Sequence, residues 1–273
     1  MRAAAVVTSR TNPHIKQLRA AFAGNARLAN GLVAVEGENL LFEAIRSSVL
    51  VDRIFLADDR AAPDWLPARA EVIEVEREIL RSAVDTLSPQ GIAALVRSPG
   101  WFLADVCRPV DSPLVLVAAG LQDPGNLGTL VRSAEAFGAA CVLTTAGSVS
   151  IWNSKALRAS AGSAFRVPVV RVSAGDLTTL QREGLRLLAA VAEDSRSGSP
   201  PTPAAQADLT GACALMIGNE GSGLGGDWLC LADGSVTIPT PGPVESLNAA
   251  IAGSLLLYEA ARQRGQHPTP ESR

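Results

Sequence analysis

LVLVAAGLQDPGNLGTLVR, residues 114–132, sets an unbroken apolar run directly against a glycine- and asparagine-rich turn and then a helical pattern. A run such as Leu114 to Ala119, apolar without alternation, marks a strand buried on both faces of a parallel sheet. The helix that follows, Asn126 to Phe137, carries Leu127, Leu130, Val131 and Ala134 on one stripe, with Asn126 able to cap it. Gly128, Arg132 and Glu135 then fall on the opposite face. Working outward, strands are expected at Ala140 to Thr144 and near Val167 to Val172, Leu185 to Val191, Ala212 to Ile217 and Ser235 to Ile238. Helices are expected near Ser154 to Ala161 and from about Glu245 to Arg264. Ser195 to Ala207, rich in Ser, Pro and Ala, reads as an exposed loop. Alternation of this kind gives an α/β fold, a parallel sheet covered by helices.

The preceding residues form a second α/β unit. A helix runs from Pro13 to Gly24 with Asn12 as its cap, followed by strands at Leu32 to Val35, Ile54 to Ala57, Glu71 to Val75 and Ile92 to Val96. Asn39 to Ser47 and Glu76 to Asp85 read as helices. The proline-containing stretch after Ser98 has no periodicity. The expected division is a first domain over residues 1–97, a linker over 98–112, a second domain over 113–265 and a tail over 266–273.

Composition narrows the function. The chain has 273 residues, 47% of them hydrophobic, enough for two cores. It has no apolar run of the roughly 18 residues needed to span a bilayer and no signal-peptide pattern, so a cytoplasmic protein without membrane association is expected. Cys107, Cys141, Cys213 and Cys230 are scattered and form no CxxC pair, and the only histidines are His14 and His267. No metal site is therefore expected. A net charge of −3 argues against indiscriminate coating of nucleic acid. Yet residues 1–35 hold Arg2, Arg10, Lys16, Arg19 and Arg27 with no acidic residue. That basic stretch is either a solvated helix face or a local RNA contact.

Three segments place polar residues immediately after apolar strands, where ligands bind in open parallel sheets. The first is Asp123 to Arg132; read blandly, it is a capped helix with an exposed Arg132 and Glu135 pair. The second, Gly218 to Gly226, holds Asn219 and Glu220 and satisfies GxGxxG through Gly221, Gly223 and Gly226. No full helix follows that pattern, which weakens a nicotinamide-dinucleotide reading. The third runs from Ile238 through Ser246, Leu247 and Asn248 into the last helix. There Leu247, Ala250, Ile251, Leu255 and Tyr258 form one stripe and Leu256 and Leu257 are apolar too, so core packing and a subunit interface are both open.

In this order the three segments resemble the motifs of the TrmH/SpoU branch of the SPOUT methyltransferase superfamily. Asn126, Gly128 and Arg132 match NxGxxxR. Gly218, Asn219, Glu220, Gly221, Gly223 and Leu224 match GNEGxGL. Ile238, Pro239, Gly242, Ser246, Leu247 and Asn248 match IPxxGxxxSLN. KALRASAGSAFRVP at 155–168 is similar to the family's connecting segment, and TSRTNPHIKQLRA at 8–20 with VEGENLLFEAI at 35–45 resembles the ribosomal-protein-like RNA-binding domain often joined to it.

The resemblance implies S-adenosylmethionine-dependent methylation of a ribose 2′-hydroxyl in RNA, ribosomal RNA favoured over tRNA, by a homodimer whose C-terminal part is tied in a deep trefoil knot. It implies cofactor binding by Gly218, Ile238 and Leu247. Arg132 is the implied catalytic residue, with Asn126, Glu220, Ser246 and Asn248 orienting the reacting groups and Arg10, Lys16 and Arg19 contacting RNA. A guanidinium that stays protonated is a poor base, so Arg132 suits phosphate anchoring and charge stabilisation better than deprotonation. A tRNA methyltransferase, a catalytically silent RNA-binding protein of the same fold and, on the glycine pattern alone, an oxidoreductase are the competing readings.

Overall fold

The computed structural model describes residues 6–23, 28–106, 112–192, 200–221, 223–244 and 246–265. Arg2, Arg27, Cys107, His267, the tail and residues 195–199 of the expected loop lie outside the described residues, as do 107–111 of the expected linker. In chain order the elements are α1 (Pro13–Ala23), β1 (Leu32–Glu36), α2 (Glu38–Arg46), β2 (Val51–Ala57), β3 (Val72–Val75), α3 (Arg77–Arg81), β4 (Ile92–Arg97), α4 (Leu103–Val106), β5 (Leu114–Ala118) and α5 (Pro124–Ala136). They continue as β6 (Cys141–Thr144), α6 (Ser154–Ala159), β7 (Val169–Arg171), α7 (Ala174–Arg182), β8 (Arg186–Ala190), β9 (Thr202–Pro203), β10 (Cys213–Ile217), α8 (Gly226–Leu229), β11 (Gly234–Thr237) and α9 (Ala249–Gln263).

Two compact units form, Met1–Gly100 with Ser150–Arg166, and Trp101–Val149 with Val167–Arg273. The first is a four-stranded sheet in the order β1-β4-β2-β3, antiparallel except for the β2–β3 pair. α1 turns Ile15, Leu18 and Ala21 into its core, and Asn12 starts the helix by accepting the His14 amide at 2.9 Å. α3 stops at Arg81, short of the expected Asp85. The Ser82 hydroxyl donates to the Ile79 carbonyl, a local bond that competes with helix continuation.

Residues 150–166, counted with the second domain on sequence, group instead with the first unit. Arg166 reaches Glu43 at 2.7 Å and the Ser47 hydroxyl at 2.9 Å, and Arg158 reaches Asp85 at 3.2 Å. Gly162, at φ +89°, lies so near that an added Cβ would sit 2.5 Å from Glu43 Cβ. Only glycine combines that backbone with that approach.

The second unit is an entirely parallel sheet in the order β7-β6-β5-β10-β8-β11-β9. β5 and β10, uniformly buried, form its centre, as uninterrupted apolar runs require. β10 follows β8 in the chain yet lies between β5 and β8, so the connection crosses over. α7 is absent from the sequence reading. A capping box between Ser173 and Asp176 starts it, and Leu177 and Leu180 are its buried residues. The short α4 occupies part of the expected linker. No helix among the described residues is long and apolar enough to cross a membrane.

α5 and α9 pack together on the central strands. An added Cβ on Gly253 of α9 would lie 2.4 Å from Leu130 Cδ2 of α5, and the hydroxyls of Ser133 and Ser254 share a 2.7 Å hydrogen bond between the two helices. The stripe expected on α9 divides. Ala250 is buried with Leu256 and Leu257, whereas Ile251, Leu255 and Tyr258 are 53%, 44% and 53% exposed.

Candidate functional site

The three polar segments converge at the carboxyl end of the central strands. The β5-to-α5 turn is capped by Asp123, whose carboxylate accepts the Asn126 amide at 2.8 Å, with Pro124 opening the helix. Asn126 is therefore not the expected cap. Placed inside the first turn, it has its side chain free for other work. Its Nδ2 donates to Glu220 Oε1 at 2.6 Å, and its Oδ1 accepts from Asn248 Nδ2 at 3.1 Å. Asn248 in turn caps α9, accepting the amides of Ala250 and Ile251 at 2.9 and 3.2 Å. One chain of hydrogen bonds thus joins all three segments.

The last helix runs from Ala249 behind its cap Asn248, and the expected start at Glu245 lies outside the described residues; Ser246 stands in the preceding loop with its side chain exposed. Ser246 lines a cavity of about 380 Å³ together with Gly218, Asn219, Ile238, Leu247 and Leu256. Gly218 follows β10 so closely against the chain that an added Cβ would stand 2.2 to 2.4 Å from the backbone of Gly223 and Leu224. Gly223 exchanges backbone bonds with Asn219 at 3.0 and 2.8 Å, closing the loop on itself. The helix after it, α8, is only four residues long, so the GxGxxG pattern here builds a loop, not a dinucleotide-binding helix.

Arg132 stands six positions beyond Asn126, about 9 Å along the axis and about 120° around it. It is exposed, is not part of the cavity wall, and has no hydrogen-bond or ion-pair partner among the described residues. Gly128, expected beside it on the outer face, is buried. In the first unit Arg10 and Lys16 are exposed. Arg19 is half-buried, its guanidinium donating to the carbonyl and hydroxyl of Ser82 at 3.4 and 3.2 Å, so part of it is spent joining α1 to the end of α3. No group of three or more His, Cys, Asp or Glu among the described residues is placed to hold a metal ion.

Asn219, part of the GNEGxGL motif, holds the loop together. Nδ2 donates to the Gly120 carbonyl at 3.0 Å while Oδ1 accepts the Gly221 amide at 2.8 Å. The Asn-x-Gly spacing is the one readable signal for the second bond. The first joins residues too distant in sequence to be read there.

Residues 113–258 match the family model described as the SpoU rRNA Methylase family, and residues 12–94 match an MRM3-like substrate binding domain. Similar proteins include the 23S rRNA (guanosine(2553)-2′-O)-methyltransferase RlmP of Bacillus subtilis, 30% identical over 92% of this chain and 97% of that protein. Another is the 23S rRNA (uridine(2479)-2′-O)-methyltransferase of Streptomyces viridochromogenes, 32% identical over 96% and 93%. The crystal structure of the SpoU methyltransferase AviRb from the same organism, in complex with AdoMet, superposes with a TM-score of 0.82 at 28% identity, covering 94% of this chain and 100% of that one.

Proposed function

The chain belongs to the SpoU rRNA methylase family, and we propose from that membership that it methylates a ribose 2′-hydroxyl of ribosomal RNA with S-adenosylmethionine as donor. The observation that carries this reading is the cavity formed by Gly218, Ile238 and Leu247 beside the Asn126–Glu220–Asn248 chain. Its volume lies within the roughly 300–1,000 Å³ of small-molecule sites. Strand ends offer backbone donors and acceptors to a purine edge, Ile238, Leu247 and Leu256 supply apolar walls, and Gly218 admits only a side-chain-free backbone. These residues fit an adenosyl group. When bound, the donor supplies an electrophilic methyl group on a sulfonium.

Arg132 anchors an RNA phosphate through its forked donors and stabilises charge growing on the ribose oxygen. The guanidinium holds its proton throughout, and the hydroxyl proton leaves to phosphate or water. Glu220, oriented by Asn126, and Asn248 and Ser246 position the ribose and the loops around it. Arg10 and Lys16 contact RNA from the first unit. The two named relatives act on a guanosine and a uridine, and for this chain we assign base choice to RNA recognition. Two further features belong to this reading. The exposed Ile251, Leu255 and Tyr258 suit burial in a homodimer, and the return of β10 between β5 and β8 suits a threaded, knotted C-terminal part.

The test is transfer of labelled methyl from S-adenosylmethionine to rRNA and tRNA lacking the modification, with the product mapped to its ribose. Label in rRNA that vanishes in Arg132→Ala supports the reading. Label confined to tRNA overturns the substrate, and no label in either despite cofactor binding overturns the activity.

A further inference from the structure

We propose that the hydroxyls of Thr145 and Ser148 are positioning groups for the cofactor loop, acting through the backbone of Gly120. The inference rests on the reading of the cavity as the S-adenosylmethionine site. Gly120 follows β5 at φ +65°, and its carbonyl accepts the Asn219 side-chain amide at 3.0 Å. The same peptide plane ends in the Leu121 N–H, which donates to the Ser148 hydroxyl at 3.1 Å, while that hydroxyl donates to the Ala118 carbonyl at 3.0 Å. A peptide is planar, so holding its N–H aims its carbonyl. On the other side of Gly120, its own N–H donates to Thr145 Oγ1 at 3.0 Å, and Thr145 is fully buried.

Two hydroxyls from the turn after β6 therefore set both torsions of one glycine, and that glycine fixes Asn219. Asn219 closes the loop by accepting the Gly221 amide and bridging Gly223, and all three residues line the cavity. Neither hydroxyl belongs to the three motif segments. The turn after β5 that contains Gly120 leads directly into Asp123 and Asn126, so the same grip aligns the start of α5 with Glu220.

The test uses the full chain with Thr145→Val, which keeps shape and removes the hydroxyl, Thr145→Ser, which keeps the hydroxyl, and Ser148→Ala. Ser160→Ala is the control, a fully buried serine whose hydroxyl donates to the Leu157 carbonyl in the first unit. Calorimetric affinity for S-adenosylmethionine and the split between KM and kcat are the readouts. Losing the hold on the Gly120 peptide lets Asn219 and its loop shift in the free protein, and re-forming the site on binding lowers affinity on the order of tenfold in Thr145→Val and Ser148→Ala. Thr145→Ser and Ser160→Ala stay near wild type, and the loss is in the KM for S-adenosylmethionine before kcat. Wild-type affinity in both hydroxyl-deleted variants overturns the proposal. So does an equal loss in Ser160→Ala, which reduces the effect to general loosening. A wild-type protein that binds no S-adenosylmethionine overturns the cofactor reading itself and this inference with it.

Discussion

Asn126 Nδ2 donates to Glu220 Oε1 at 2.6 Å, joining two residues 94 positions apart and holding the start of α5 to the loop after β10. The amide nitrogen is the donor here, and the Asn126 oxygen is turned toward Asn248. Asn126→Ala removes both bonds and lowers kcat by about 10- to 100-fold, with a small change in Tm because Glu220 and Asn248 are exposed and find water. Asn126→Asp sets a second carboxylate against Glu220. Like charges at this distance repel, so this variant is worse than alanine. Steady-state kinetics of the two variants side by side check the order.

The role proposed for Arg132 separates catalysis from stability. Exposed and without a partner among the described residues, it contributes little to folding. Arg132→Ala leaves Tm within about a degree while methyl transfer falls about 10²- to 10³-fold, the scale for losing one charge-stabilising group. Arg132→Lys keeps the charge but not the fork and recovers only part of the rate. Melting curves alongside single-turnover kinetics decide it. A parallel fall in Tm and activity sinks the assignment.

What the sequence reveals of this architecture follows the range of the forces involved. Leu114–Ala118 reads as a central strand because burial on both faces removes polar residues from it, and α1 reads correctly from Asn12 and its apolar spacing. The cap of α5 is Asp123 and not the expected Asn126, and its local signal is Pro124 in the first turn. α7 was readable from Ser173 and Asp176. Other features depend on partners distant in the chain. Nothing local places β10 between β5 and β8, attaches Arg166 to Glu43, turns Arg19 onto Ser82, or buries Gly128. The site motifs were legible as residues, while their joining through Asn126 is a product of the fold.

Two glycines test how the site tolerates an added methyl. At Gly253 the main obstacle is Leu130 Cδ2, the far end of a flexible side chain, with Ile217 Cγ1 next at 3.3 Å, and both are side-chain atoms that can shift. Gly253→Ala therefore costs about 1–3 kcal/mol of stability and retains cofactor binding. At Gly218 the obstacles are backbone atoms of Gly223 and Leu224, which cannot rotate away. Gly218→Ala loses S-adenosylmethionine binding outright. Denaturant melts and calorimetry on both variants give opposite patterns if the geometry is right, and tight cofactor binding by Gly218→Ala contradicts it.

The exposed stripe on α9 makes a claim about assembly. Ile251, Leu255 and Tyr258 recur at four- and three-residue spacing on one face, and Tyr258 packs edge-on against Phe137 at 5.7 Å. The double substitution Ile251→Glu with Leu255→Glu places two carboxylates on that face without touching the buried Leu256 and Leu257. Light scattering after size exclusion then reads a monomer where the wild type reads a dimer. A wild type that is monomeric at working concentration removes the interface.

Glu259 gives the C-terminal helix an acid-sensitive anchor. Hydrogen bonds from Arg262 and Gln263 stabilise its charged form and bring its pKa from 4.5 down to about 2. Gln263 also donates to the carbonyls of Ala204 and Ala207 at 3.3 and 3.0 Å, so the carboxylate helps hold the side chain that ties α9 to the crossover segment. A carboxyl with a lowered pKa in the folded state stabilises it above the unfolded value. That contribution is complete above about pH 4.5 and disappears as the pH falls toward about 2. Glu259→Gln keeps shape and hydrogen-bonding capacity but cannot titrate. Its stability is lower than wild type at pH 7, and the difference narrows between about pH 4.5 and 2. Urea unfolding at a series of pH values measures the gap, and a constant offset across that window shows that the carboxylate is not the anchor.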